Sequence, residues 1–202
     1  VSCQVGRTGT ITPVAILKEV IVGGVKINRA TLHNQDEIKR LSLSLGDSIS
    51  IQRAGDVIPK ITSVVKKSSN PKNILFPENC PSCKSKLIRY ENEAAVRCIN
   101  HNGCEEQVIH SLSHFVSRNA FDISGLGERQ LRIFWKKKII RSFIDIFLLE
   151  EKTIAGEISL KEIDGLGEKS ISNLFKSIKL SRSISFDKLI FSLGIRHVGQ
   201  GV

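Results

Sequence analysis

The chain has 202 residues, 41% of them apolar but only 5% aromatic, which suits one or two domains with cores mostly of Ile, Leu and Val, or three small ones if unlike segments flank a metal knuckle. Thirty Lys and Arg against twenty Asp and Glu leave a formal charge of +10, pointing to a polyanionic partner. No apolar run is long enough to cross a membrane and no charged-then-apolar leader opens the chain, which excludes insertion and secretion and places the five cysteines in a reducing compartment, where metal is favoured over disulfides.

The start at Val1 and the absence of methionine lead to the expectation of a fragment or a processed piece. The basic charge is unevenly spread. Residues 1–70 carry ten basic and five acidic side chains, residues 71–106 five of each, and residues 107–202 fifteen and ten. Two basic flanks around a neutral middle suit a clamp that follows a phosphate backbone.

From Val5 to about Lys67 the pattern is that of strands. Thr10 to Val22 is rich in β-branched residues, Gly23-Gly24 interrupts it, and Val25 to Leu32 resumes. His33 to Leu41 reads as a short helix, and Asp47 to Arg53 and Val57 to Val65 as two further strands, with Ile49 and Ile51 alternating against Ser48, Ser50 and Gln52. About five strands and one helix over residues 1–70 predict a small OB-type barrel, whose face and loops are a recurrent nucleic-acid site. Ser68 to Pro77, polar and with two prolines, reads as a linker.

Residues 71–106 hold Cys80, Cys83, Cys98 and Cys104, spaced C-x2-C-x14-C-x5-C. Each pair can aim two thiolates at one ion, and the intervening residues suffice for a hairpin that returns the second pair, which predicts a closed, structural zinc finger. Four thiolates leave no vacant corner, so this zinc would not activate water. His101 lies between the last two cysteines and is an alternative to one of them as ligand.

Residues 107–202 turn helical. Val108, Ile109, Leu112, Phe115 and Val116 mark one apolar face, with His110 and His114 read as solvated positions on another. An internal repeat follows: Ile123-Ser124-Gly125-Leu126-Gly127-Glu128 is matched by Ile163-Asp164-Gly165-Leu166-Gly167-Glu168, each leading into a helix, Arg129 to Lys138 and Lys169 to Lys179. This is a helix-hairpin-helix signature. The glycines permit a tight turn, the leucine plugs the space between helices, and the free amides of the second helix face a phosphate without reading bases. Leu193 to Gly199 resembles a third copy, with His197 in place of its first glycine and its second helix past Val202. The fold class expected is therefore multi-domain: an all-β OB barrel over 1–70, a small four-Cys zinc finger over 71–106, and an all-α helix-hairpin-helix domain over 107–202, incomplete at its C-terminus.

Gln4-Val5-Gly6-Arg7-Thr8-Gly9, Ile11-Thr12-Pro13-Val14-Ala15, Ala30-Thr31-Leu32-His33-Asn34 and Arg53-Ala54-Gly55-Asp56-Val57-Ile58-Pro59 closely resemble the OB domain of bacterial NAD-dependent DNA ligases. The order of parts agrees, and His114 to Arg118 and Leu193 to Arg196 also resemble that family. The resemblance implies an enzyme of replication and repair that seals nicks in duplex DNA in three steps, with AMP passing from NAD to a lysine of a K-x-D-G motif, then to the 5′-phosphate, from which the 3′-hydroxyl displaces it. No K-x-D-G occurs here; Lys161 to Gly165 is K-x-x-D-G. The resemblance thus places catalysis, NAD and magnesium upstream of Val1 and implies that the chain alone is inert, with no catalytic or NAD-binding residue of its own.

What remains implied for this chain is a clamp on nicked double-stranded DNA, sequence-independent, cytoplasmic, with structural zinc fixing barrel against helices and no oligomer implied. Arg7 and Arg53 would contact the backbone from the barrel, with Thr8, Asp56 and Val57 shaping the surface. In the hairpins the contacts would come from amides around Gly125, Gly127, Gly165 and Gly167, with Arg129 and Lys169 adding charge. The alternative is a non-enzymatic DNA-binding protein built from the same modules.

Overall fold

The computed structural model describes residues 1–52 and 59–201. Its packing resolves into two compact units, Val1–Cys104 and Glu105–Val202.

In the first unit, β1 (Ser2–Val5), β2 (Ile11–Val22) and β3 (Val25–Thr31) form an antiparallel meander. Helix α1 (Gln35–Arg40), β4 (Ser44–Leu45) and β5 (Ser48–Gln52) follow, and β6 (Lys60–Lys66) returns to lie parallel to β3 at Thr31↔Lys60. The sheet order is β1-β2-β3-β6-β5, the five strands and single helix expected of an OB-type fold. Parallel neighbours cannot be joined by a tight turn, and here the crossover carries the helix and β5. Between β2 and β3, the pairing Val22↔Val25 leaves a two-residue loop with Gly23 and Gly24 at φ +56° and +77°. Both positions being left-handed is the type I′ requirement, which is why the pair of glycines stands there.

The helix starts where Asn34 caps it, its side-chain oxygen accepting from the Glu37 amide at 2.8 Å. It turns Ile38 inward onto Ala15, Ala30, Leu32, Leu43 and Ile61, with Ile49, Ile51 and Val64 packed around them. The aliphatic core anticipated from composition is realised in this unit.

The stretch expected to be a linker is instead laid against the barrel. Its Lys72–Asn73 segment, β7, pairs with β4, and Ile74 packs on the core. The cause is Asp47, whose carboxylate accepts from the amides of Ser44 and Ser68, each at 2.9 Å, and from Lys67 Nζ at 3.0 Å. The finger then adds its own hairpin, β8 (Leu87–Arg89) against β9 (Val96–Cys98), between the two cysteine pairs as their spacing predicts.

The second unit contains α2 (Glu105–Phe115), α3 (Glu128–Lys136), α4 (Phe143–Phe147), α5 (Leu149–Ile154), α6 (Glu168–Leu180) and α7 (Phe186–Ser192). The predicted face of α2 is buried through Val108, Ile109, Leu112 and Phe115, joined by Leu126, Leu131, Phe134, Leu166 and Leu174. Composition suggested few aromatics in the cores, but this unit gathers most of them. Phe115 stacks on Phe121 and Phe143 at 4.2 and 4.4 Å between ring centres, and Phe147 closes edge-on to Phe121 at 5.4 Å. His114 also departs from its expected solvated role. Its Nε2 lies 2.8 Å from the Phe191 carbonyl and its ring packs on Phe191, so it fastens α2 to α7. His110 instead faces Glu106 at 3.5 Å.

Candidate functional site

The four cysteine sulfurs converge. All lie within 4.8 Å of one another, the only such cluster of potential ligands among the described residues. Sγ of Cys80 is 3.8 Å from that of Cys104, and Sγ of Cys83 is 3.5 Å from that of Cys98. A tetrahedral ion with metal–sulfur bonds of about 2.3 Å needs sulfurs about 3.8 Å apart, close to these two separations, and the quartet as a whole is compact enough to hold zinc. His101 is exposed and outside the cluster.

Local hydrogen bonding shapes both knuckles. Lys84 adopts φ +64° so that its amide reaches the Cys80 carbonyl at 3.0 Å while the Cys80 amide donates to the Ser85 carbonyl at 2.8 Å. On the other side the Cys104 amide donates to the Asn100 carbonyl at 3.0 Å, and Gly103 to the Asn100 side chain at 3.2 Å. Burial raises the Cys80 thiol, although the Cys83 and Ser82 amides oppose it, and pushes Cys98 up to about 12. Burial is also the largest single influence on Cys83, but the hydroxyl and amide of Ser85 together with hydrogen bonds to Cys98 and Cys80 outweigh it and bring that thiol down to about 6. One poised thiolate beside thiols that resist ionisation is a donor set that calls for a cation, whose charge offsets the burial of the others.

The metal centre is part of the barrel's own packing. Cys80, Cys98 and Cys104 are fully buried against Val5 and Ile11, with Phe76 and Leu87 alongside. The strand edge continues across: Thr10 bridges Arg97, and the Cys98 amide donates to the Gly9 carbonyl at 2.9 Å. Arg97 Nη1 reaches the Thr8 carbonyl and hydroxyl at 3.4 and 3.3 Å and also the Thr10 hydroxyl, while its Nε binds Glu93 at 3.0 Å. Arg89 forms a second strap, pairing both its terminal nitrogens with Asp36 of α1 at 2.9 and 2.5 Å. None of these three side chains, Arg89, Arg97 and Asp36, was singled out from sequence. Bidentate geometry needs the folded register, which no local motif reveals.

Of the residues expected to contact a polyanion, Arg7 sits in the Gly6–Gly9 turn, held by the Gly6 amide to the Thr10 carbonyl at 2.8 Å and by the Gly9 amide to the Gly6 carbonyl at 2.9 Å. Thr8 is in the same turn and its hydroxyl is engaged by Thr10 and Arg97. Arg53, Asp56 and Val57 lie outside the described residues.

In the second unit the repeat is reproduced in backbone angles. Gly125 and Gly165 take φ +92° and +85°, and Gly127 and Gly167 end the turns at φ −68° and −76°, both with ψ 167°. Ile123 and Ile163, and Leu126 and Leu166, are all buried. Neither α3 nor α6 has a side-chain cap, which leaves their first amides without a side-chain acceptor, and Gly127, Arg129, Gly167 and Lys169 are all exposed. The third copy matches too: His197 stands at φ +68°, and the Val198 amide bonds the Ile195 carbonyl at 3.1 Å as Leu166 bonds Ile163 at 3.0 Å.

Comparison with known proteins adds two family matches. Residues 1–73 match the NAD-dependent DNA ligase OB-fold domain, and residues 79–105 the NAD-dependent DNA ligase C4 zinc finger domain. The chain is 53% identical over 199 residues to a DNA ligase of Wolbachia pipientis wMel, covering 98% of this chain and 30% of that protein. It is 48% identical over 201 residues to a DNA ligase of Neorickettsia sennetsu, covering 99% and 29%, and 46% identical over 214 residues to one of Nitrobacter winogradskyi, covering 100% and 30%. The chain thus spans about 30% of the length of the curated relatives it matches.

Proposed function

Because this chain belongs, through its OB-fold and C4 zinc-finger domains, to the NAD-dependent DNA ligase family, we infer that it is the DNA-clamping portion of a nick-sealing enzyme. The observation that carries this reading is the single compact unit in which a four-thiol centre packs on Val5 and Ile11 of an OB sheet, followed by two glycine turns of matching backbone angles that open onto helices without side-chain caps.

In this role the barrel contributes Arg7, and Arg53 with Asp56 and Val57, to a DNA surface. The turns at Gly125–Gly127 and Gly165–Gly167 act as helix-hairpin-helix units, offering amides to phosphates with Arg129 and Lys169 adding charge. Such contacts read the backbone and not the bases, so the partner is nicked duplex of any sequence. Cys80, Cys83, Cys98 and Cys104 hold zinc as a structural ion. NAD supplies the AMP that activates the 5′-phosphate, and it and magnesium act through parts of the enzyme other than the residues assigned here. The sequence contains no K-x-D-G, so the chain by itself binds DNA and does not seal it. A cytoplasmic place follows from that substrate and from ligands that must stay reduced.

The test is fluorescence anisotropy on nicked, intact and single-stranded DNA over a salt series. Tighter binding to duplex than to single strands, with a steep salt slope and little dependence on sequence, is the expected result. Preference for single strands would favour the non-enzymatic coating protein, since OB barrels that coat DNA stack unpaired bases.

A further inference from the structure

The finger and the barrel's first turn are joined by more than apolar contact. Cys98 is one of the four clustered thiols, and its own amide is spent on the Gly9 carbonyl at 2.9 Å. The preceding residue, Arg97, spans the turn from the same strand, with one guanidinium nitrogen on Thr8 and Thr10 and another on Glu93. Its side chain is only 13% exposed. These attachments to the turn fall on Thr8, Gly9 and Thr10, the C-terminal side of the turn that carries Gly6 and Arg7, and Gly9 there holds φ +77°. The Gly6 end is closed by bonds within the turn, from the Gly6 amide to the Thr10 carbonyl and from the Gly9 amide to the Gly6 carbonyl, so what grips Thr8, Gly9 and Thr10 sets the shape of the whole turn.

We propose that Arg97 is a positioning residue that couples metal loading of the four-cysteine centre to the shape of the Gly6–Gly9 turn, and so to the presentation of Arg7. Metal fixes Cys98, Cys98 fixes the register of β9, and that register places the Arg97 guanidinium opposite the two threonine hydroxyls. Without metal, the buried thiols lose their common partner, β9 loses its anchor, and the turn loses the bonds at both Thr8 and Gly9. The barrel's contact with DNA is thereby conditional on zinc, even though Cys80, Cys98 and Cys104 are fully buried. This rests on the reading of Arg7 as a DNA contact, but the coupling itself can be measured without DNA.

The experiment uses the whole 202-residue chain and hydrogen–deuterium exchange at the Gly6 and Gly9 amides, which close the turn onto Thr10 and Gly6. R97Q is expected to retain one zinc per chain while exchange at both amides rises about tenfold, the scale of losing a charged hydrogen bond. Zinc-stripped wild type should show the same rise, and R97K, which keeps charge but can reach fewer acceptors, an intermediate one. T10V removes an acceptor without altering the finger and should reproduce R97Q, which keeps the proposal testable if R97Q folds poorly. Unchanged exchange at Gly6 and Gly9 in both R97Q and T10V would overturn the coupling. Affinity for a nicked duplex then separates the two readings: if exchange rises but neither R97Q nor R7A weakens binding, the coupling stands and the DNA role of Arg7 falls.

Discussion

Gly165 and Gly167 make opposite demands on the fold, and substituting each by alanine separates what the hairpin needs to form from what it needs to bind. Gly165 stands at φ +85° with nothing within 4 Å of the place a Cβ would occupy, so alanine there meets no clash but must adopt the left-handed region. That costs about 1–2 kcal/mol, partly offset by about 0.4–1 kcal/mol of lost unfolded-state freedom, a net destabilisation of roughly 1 kcal/mol. For a unit of this size that is a fall in Tm of roughly 4–8 °C. Gly167 also has open space around its Cβ position, but its φ of −76° suits any residue. There the entropic gain opposes a few tenths of a kcal/mol for alanine as an N-cap, leaving stability within about 0.5 kcal/mol of wild type. The methyl group, however, sits beside the first amides of α6, and under the proposed function the loss of one charge-assisted amide–phosphate bond would weaken binding about tenfold. Thermal melts and anisotropy on nicked duplex, measured on G165A and G167A side by side, check both halves. A G167A chain that melts several degrees lower, or that binds nicked DNA as wild type does, refutes the reasoning: the glycine would then be serving the fold and not the phosphate.

C98S should abolish stoichiometric zinc, as read by metal analysis, and with it a contribution on the order of 10 kcal/mol, comparable to the whole stability of a small domain. Because Val5 and Ile11 share that core, the first barrel hairpin should lose protection from exchange together with the finger. H197G relieves a left-handed non-glycine residue at the third turn and should raise the Tm slightly, by roughly 0.5 kcal/mol of stability once the extra freedom of glycine in the unfolded chain is counted. Acid should destabilise both units. Arg132 holds Glu106 below the usual carboxylate range through bonds of 2.6 and 2.8 Å, and the Ser68 amide, followed by Lys67 and Ser44, does the same for Asp47. The unfolded chain therefore takes up protons first as pH falls, so this stabilisation is complete above about pH 5 and is lost progressively through and below pH 4. Denaturant midpoints from pH 7 to pH 3 should follow that course, and E106Q should flatten the part belonging to the helical unit.

Much of the architecture was legible because it obeys short-range rules. The glycine pair after Val22, the cysteine spacing and the repeated I-x-G-L-G each impose a backbone conformation within a few residues. Even the third turn was readable through its imperfection, with His197 in the angle that glycine takes twice before it. The elements missed were those with weak local signals. Strand β7 has two residues and exists because β4 and Asp47 stand opposite it, and α4, α5 and α7 have five to seven residues each, too few for periodicity to speak.

By itself, then, the sequence determined the OB-type barrel, the clustering of the four cysteines and the repeated glycine turns, since spacing, glycine angles and alternation are properties of neighbouring residues. Only the tertiary structure decided that the finger shares a core with the barrel and that Arg97 grips the turn carrying Arg7. Those residues lie some ninety positions apart, and a salt bridge or hydrogen bond between them depends on strand register, which is set by the packing of the whole unit.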